Sequence, residues 1–273
     1  MNRYIKLVNF EISRFIKLYF VLIAITVISQ VTGTIMISSQ YVNSASEAIY
    51  QHGVSIEQFI TERGLMSMFQ VTASLWFLGP IALCIAALIF YTFFIWYRDW
   101  FAKNTFIYRL LMLPTARINI YLAKATSIFL LVLGLVALQL LLIPLLSTIL
   151  KWIVPVDLRL DMSVTELIDS FFYLQIILPQ SFVEFLIYYG IGFMVVFIVF
   201  TAILFERSFR LKGILLGGVY GILSIAIFTM PFFIFIDYLY PIELLAVETV
   251  LGLIVAAMSI WVSHYLLTKK VMV

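Results

Sequence analysis

Six long apolar runs limit what this chain can fold into more than any other feature. A membrane-spanning helix needs about 20 mainly apolar residues, and the runs cover residues 18–38, 71–97, 118–150, 182–205, 213–236 and 242–267. Charged residues make up only 11% of the 273 residues, against roughly a quarter in soluble domains. We therefore expect an all-α polytopic membrane protein, with six transmembrane helices in a single transmembrane domain over residues 1–273.

Lysines and arginines are concentrated at the two termini and in alternate connections between these runs. Of the 17, 13 precede the first run, follow the last, or lie between the second and third or the fourth and fifth. Lys124 lies just inside the start of the third run, on the same side, and only Arg63, Lys151 and Arg159 lie on the other. Because Lys and Arg are enriched in cytoplasmic loops, we expect both termini to be cytoplasmic and residues 39–70 and 151–181 to be outer segments. The basic inner face indicates membrane lipid as a partner and no nucleic acid.

Residues 1–17 have the pattern of an amphipathic helix that precedes the first span. Its apolar face is formed by Ile5, Val8, Ile12, Phe15 and Ile16, and the basic residues Arg3, Lys6, Arg14 and Lys17 share another face. This pattern predicts an interfacial helix on the inner membrane surface before the chain turns into the first span. The alternative is a frayed basic tail.

The outer segments carry signals for short helices. The pairs at capping-box spacing are Ser44 with Glu47, Ser55 with Gln58, and Ser163 with Glu166. After the last of these pairs, an apolar pattern to Leu178 predicts one helix that is too short for a seventh span.

The last two spans carry two further signals. Gly213, Gly217, Gly218 and Gly221 predict the close approach of a neighbouring helix. Pro231 and Pro241 bracket a stretch where one helix kinks or ends and the next begins, as a tight hairpin or a partly re-entrant turn.

The chain lacks the motifs of common enzymes. It has no His-Glu-x-x-His zinc helix, no Gly-x-Ser-x-Gly nucleophile turn and no phosphate-binding Gly-x-x-x-x-Gly-Lys-Ser/Thr loop. We therefore expect no catalytic residue, metal or cofactor on this chain, and any ATP must bind another subunit. Gln30, Gln139 and Glu248 are weak candidates for a translocation path. The alternative is that the two glutamines bond to a neighbouring helix and that Glu248 is a solvated acid at the rim of the membrane.

The segment 98–117, between the second and third spans, has a pattern of helix, break and helix. Asp99 precedes Lys103 at the spacing of a helical ion pair, Asn104 can cap a short helix, Pro114 ends it and Thr115 can cap the next helix through Arg117. The short helix carries an apolar stripe, formed by Phe106, Ile107, Leu110, Leu111 and Leu113, with Arg109 outside it. These features favour a rigid lever joined to two spans, and the alternative is a solvated basic loop.

Two short motifs resemble those of one protein family. Glu11 and Arg14 match a Glu-x-x-Arg pair in an amphipathic N-terminal helix, and Leu113, Pro114, Arg117 and Lys124 match Leu-Pro-x-x-Arg followed by Lys. In these motifs and in its six spans the chain resembles the permease subunits of bacterial ABC exporters of the second type.

The resemblance implies a function in the bacterial cell membrane. It implies a coupling helix in segment 98–117, a separate nucleotide-binding ATPase subunit that holds ATP and Mg, and a second permease, either a copy or a homologue. The cargo would be a hydrophobic or amphipathic molecule such as an antimicrobial peptide, a lipid or a drug. The alternatives are a non-transporting immunity or sensor protein, a proton- or ion-coupled secondary transporter, and, least favoured, a membrane-embedded enzyme.

Overall fold

A computed structural model describes residues 3–101, 110, 112, 115–235 and 237–270 of the chain. The helices among them are α1 (Arg3–Tyr50), α2 (Ile56–Arg63), α3 (Met68–Thr72), α4 (Leu75–Phe101), α5 (Ile118–Ile153), α6 (Val164–Ser170), α7 (Phe172–Ile177), α8 (Phe182–Phe209), α9 (Leu211–Phe235) and α10 (Pro241–Lys269). Two short strands, β1 (Met66–Ser67) and β2 (Arg159–Leu160), pair in parallel.

Six of the helices are long and apolar enough to cross a membrane: α1, α4, α5, α8, α9 and α10. Each of the six apolar runs falls mainly on one of them, and 87% of the described residues are helical. The expected class, an all-α polytopic membrane protein, is confirmed at this level.

Helix α1 is longer than the sequence pattern indicates. It runs without a break for 48 residues, about 72 Å at 1.5 Å per residue, so the expected turn between an interfacial helix and the first span is absent. Residues 3–50 contain no proline, and their single glycine, Gly33, lies inside the helix. The predicted helix start at Ser44 is wrong for the same reason, because Ser44 and Glu47 lie within α1.

The described chain divides into two compact units. One contains residues 15–87 and 132–180, and the other contains residues 1–14, 88–131 and 181–273, so α1, α4 and α5 contribute to both.

In the unit of residues 15–87 and 132–180, short elements surround a buried core that includes Phe77, Leu146 and Leu167. Ser55 and Ser163 begin α2 and α6 with complete capping boxes, as predicted. The single helix expected after Ser163 is wrong, because the backbone at Phe171 is extended and separates α6 from α7.

In the other unit, α8, α9 and α10 pack against one another. Two of the four glycines confirm the predicted close approach: a Cβ on Gly213 would overlap the carbonyl oxygen of Phe205, and one on Gly217 would lie 2.7 Å from that of Ala202. A Cβ on Gly218 would meet nothing within 4 Å. Pro231 lies inside α9, which ends only at Phe235, so the helix does not end at this proline.

Candidate functional site

Five charged residues meet in the unit that contains residues 1–14, 88–131 and 181–273. We call Glu11, Arg14, Arg98, Asp99 and Lys124 the charge cluster. They come from the start of α1, the end of α4 and the start of α5. Of these side chains, Lys124 and Asp99 are 0% exposed and Glu11 is 3% exposed.

Lys124 lies at the centre of the charge cluster. Its Nζ donates a hydrogen bond of 2.6 Å to Glu11 Oε1 and another to Asp99 Oδ2, and a third of 3.2 Å to the carbonyl oxygen of Ile95. An ammonium group has three N–H donors, so all three find acceptors. One buried cation thereby joins α1, α4 and α5.

Two arginines pair with the remaining carboxylate oxygens. Arg14 donates to Asp99 Oδ1 at 2.6 Å, and Arg98 donates to Glu11 Oε2 at 2.9 Å. Their side chains are 24% and 17% exposed, so they form the outer side of the charge cluster. Three cations and two carboxylates leave a formal charge of +1.

Aromatic rings enclose the charge cluster. Lys124 Nζ lies 5.3 Å from the centre of the fully buried Trp96 ring, and Arg98 lies over the Tyr91 ring at 5.6 Å. The Tyr91 hydroxyl donates to the carbonyl oxygen of Glu11 at 3.4 Å. Rings attract cations through their electron-rich faces, so this environment compensates in part for the loss of water around the charges.

The arrangement suits a network that holds α1, α4 and α5 together. Removing charges from water costs several kcal/mol per ion, which close pairing and full hydrogen bonding must offset. Such a network holds its members in one geometry, and the removal of a single partner leaves an unpaired buried charge. No group of three or more His, Cys, Asp or Glu side chains within the described ranges could hold a metal ion.

The charge cluster includes the first two residues of the predicted coupling segment 98–117, Arg98 and Asp99. Asp99 is two residues before the end of α4, and Lys124 is six residues after the start of α5. Their ion pair therefore fastens together the two helices that bracket residues 102–117. The buried carboxylate of Asp99 accepts hydrogen bonds from Arg14 and Lys124. The sequence predicts a helical ion pair of Asp99 with Lys103, which lies outside the described residues.

Most of the predicted ATPase-coupling residues also lie outside the described residues: Asn104, Phe106, Ile107, Arg109, Leu111, Leu113 and Pro114. Leu110 is described and is buried, at 4% exposure. Arg117 donates a hydrogen bond of 2.6 Å to the carbonyl oxygen of Leu267, near the end of α10.

The predicted interfacial residues separate into two groups. Arg3, Lys6 and Lys17 are exposed, whereas Glu11 is buried and Arg14 is partly buried in the charge cluster. The sequence motifs include Glu11, Arg14 and Lys124 but do not predict that these side chains are buried or partly buried. One signal was present: Glu11 follows Val8 by three residues and precedes Phe15 by four, which places it on the apolar face of α1.

The weak translocation candidates fall in different places. Gln30 Nε2 donates to Gln139 Oε1 and to the carbonyl oxygen of Phe77, both at 3.3 Å, so these two buried amides bond to each other. Glu248 instead lines a cavity of about 560 Å³.

Comparison of the chain with family models, with curated proteins and with solved structures finds no match in any of the three.

Proposed function

We propose that this chain is the transmembrane permease subunit of an ATP-driven ABC exporter. The observation that carries the proposal is the convergence of both family-like motifs: Glu11 and Arg14 from the first motif and Lys124 from the second meet in the charge cluster. Lys124 and Glu11, which come from the two different motifs, are separated by 113 positions in sequence.

A coupling segment needs anchored ends. A force on a short cytoplasmic helix moves the spans only if its two neighbouring helices move with it. The Asp99–Lys124 pair fastens α4 to α5, Glu11 adds α1, and Arg117 adds α10 through the carbonyl oxygen of Leu267. A push on residues 102–117 would then reach four membrane helices together.

The remaining parts of the proposal follow from charge and from the family resemblance. Both termini and the charge cluster lie on the cytoplasmic side of a bacterial cell membrane, in contact with anionic lipid. A separate ATPase subunit binds ATP and Mg and docks on segment 98–117, and a second permease, identical or homologous, completes the path. The cargo is a hydrophobic or amphipathic molecule.

Copurification tests the proposal directly. The tagged chain is isolated from its native membrane in mild detergent, and associated proteins are identified by mass spectrometry. We expect a nucleotide-binding ATPase in stoichiometric amount. Arg109→Glu reverses a charge in segment 98–117 and so disturbs the charge complementarity with the docked ATPase. We therefore expect this variant to reduce ATPase recovery by about tenfold.

Lys212→Glu is the matched control, since Lys212 is an exposed cation near the start of α9. It reverses the same charge in the other basic stretch, residues 207–212, and should leave ATPase recovery unchanged. Isolation of the chain without any ATPase would contradict the proposal and would favour a non-transporting immunity or sensor protein. Equal loss in both variants would show that segment 98–117 is not the docking site.

A further inference from the structure

A cavity of about 560 Å³ lies within the unit of residues 1–14, 88–131 and 181–273. Its wall is formed mainly by α8 and α10, with Leu122 of α5 and Phe228 of α9 closing it. Small-molecule sites in proteins are typically about 300–1,000 Å³ in volume and mostly apolar. The cavity is therefore large enough for a small organic molecule and too small for a whole peptide.

Glu248 is the ionisable residue among the described residues that line this cavity. It is partly buried and lies seven residues after Pro241, the first residue of α10, or about 10 Å along the helix axis. Within the described part of the chain, its carboxylate has no hydrogen-bond donor and no cation as a partner. The neighbouring hydroxyl of Thr249 donates instead to the carbonyl oxygen of Leu245 at 2.8 Å.

A carboxylate at membrane depth is costly without a partner of opposite charge. The other lining residues cannot supply that partner, because they are aliphatic or aromatic side chains, glycines, Met194 and Thr249. The lining residues thus leave the position opposite the Glu248 carboxylate open to a cation from a bound molecule. The rings of Phe193, Phe197 and Phe228 line the same space, and aromatic faces attract organic cations and pack against apolar groups.

We propose that this cavity binds a small amphipathic cation, with its charged centre at Glu248 and its apolar body between α8 and α10. The Glu248 carboxylate favours a positive charge on the ligand, and the volume of the cavity limits the size of the ligand's apolar part. The inference that the bound molecule is a cargo rests on the proposed exporter function. Binding itself requires no ATPase, so the two can fail separately.

Two glycines on α8 provide a matched pair of variants. A Cβ on Gly190 or on Gly192 would meet no atom within 4 Å, and Gly190 lines the cavity whereas Gly192 does not. Leucine is a better helix former than glycine, so neither substitution should weaken α8. Gly190→Leu places a side chain at the wall of the cavity, and Gly192→Leu adds the same side chain elsewhere.

The experiment measures saturable binding of radiolabelled tetraphenylphosphonium to the chain in lipid nanodiscs, with empty nanodiscs as the background. Tetraphenylborate, which has the same shape and the opposite charge, is the second probe. We expect the phosphonium cation to bind and the borate anion not to bind. Glu248→Gln should weaken cation binding by about tenfold or more, and Gly190→Leu should reduce it comparably.

Gly192→Leu and Glu243→Gln serve as controls, and both should bind as the unchanged chain does. Glu243 lies in the first turn of α10 and does not line the cavity. Melting temperatures of all variants in the same lipid report whether each one is folded. Absence of saturable cation binding to the unchanged chain would overturn the inference. So would equal binding of both probes, or cation binding that neither Glu248→Gln nor Gly190→Leu alters in folded protein. In any of these results, copurification of an ATPase would leave the exporter proposal standing.

Discussion

Lys124 Nζ lies 2.6 Å from Glu11 Oε1, although the two residues are 113 positions apart and both side chains are almost completely buried. In a chain with so few charges, a buried ion pair of this kind has to be compensated by its surroundings. Here the compensation comes from Asp99, Arg14 and Arg98, so the five groups depend on one another. The first prediction follows from this dependence.

Lys124→Met should destabilise the protein strongly. Methionine occupies a similar volume but leaves Glu11 and Asp99 without the cation that they share. Breaking a buried pair from one side costs about 3–5 kcal/mol in unfolding free energy. Thermal unfolding in detergent, followed by circular dichroism, measures the loss.

The matched control is Lys212→Met, which removes an exposed lysine from the same unit and should change stability by less than about 0.5 kcal/mol. Similar melting temperatures for the two variants would show that the charge cluster contributes nothing to stability.

The contact between α8 and the start of α9 depends on Gly213. A methyl group there would overlap the carbonyl oxygen of Phe205, so Gly213→Ala should cost about 1–3 kcal/mol through overpacking. Gly218→Ala, in the same helix but with open space, should be neutral or stabilising by up to about 1 kcal/mol. The melting temperatures of both variants are compared in the same detergent. If Gly213→Ala is as stable as the unchanged chain, the close approach at Gly213 is refuted.

The two buried amides should behave as a coupled pair. Gln30→Leu leaves Gln139 Oε1 without the donor seen in the structure, and an unsatisfied buried polar group costs about 1–3 kcal/mol. Replacing both glutamines by leucine should recover most of this loss, since neither amide is then unpaired. A double-mutant cycle measured by thermal unfolding gives the coupling energy, and strictly additive effects would rule out the pairing.

The stability of α6 should depend on pH through Glu166. The backbone N–H of Ser163 donates to Glu166 Oε2 at 2.7 Å, and this bond, assisted by the Ser163 side chain, holds the pKa of the Glu166 carboxyl below its ordinary value. A carboxyl with a lowered pKa in the folded state stabilises that state above the unfolded-state pKa. The contribution is lost as the pH falls through the lower, folded-state pKa.

Carbon-13 NMR of labelled glutamate side chains can follow this titration, with Glu166→Gln used to assign the signal. In Glu166→Gln the amide oxygen still accepts the hydrogen bond but does not titrate, so the pH dependence of α6 should disappear. A Glu166 pKa equal to or above that of an unstructured peptide would contradict the capping geometry.

The long helices could be predicted from sequence because hydrophobic length alone defines a membrane span. The capping boxes at Ser55 and Ser163 were predictable for a similar reason, since all the interacting atoms lie within four residues. The break expected after Lys17 was wrong because the amphipathic pattern of residues 3–17 is compatible with a separate helix and also with the first turns of a longer one. The unbroken backbone of α1 through Lys17 shows that the second applies.

The charge cluster could be predicted only in part. Glu11, Arg14 and Lys124 drew attention as motif residues, but no local pattern indicates that Lys124 bonds Glu11 and Asp99. Ion pairs between distant residues depend on which helix faces meet, and sequence spacing within one helix carries no information on that point. The local interpretation of Asp99 paired it with Lys103, and this is why its buried partners were missed.

We propose that segment 98–117 couples the chain to an ATPase, and ATP hydrolysis by the reconstituted complex measures this coupling. The chain and its copurified ATPase are placed in lipid nanodiscs, and turnover is compared for the unchanged chain, Arg109→Glu and Lys212→Glu. We predict that Arg109→Glu lowers the stimulation of turnover by the permease about tenfold, while Lys212→Glu leaves it within about twofold. ATP turnover that does not change when the permease is present, or that falls equally in both variants, would contradict coupling through segment 98–117.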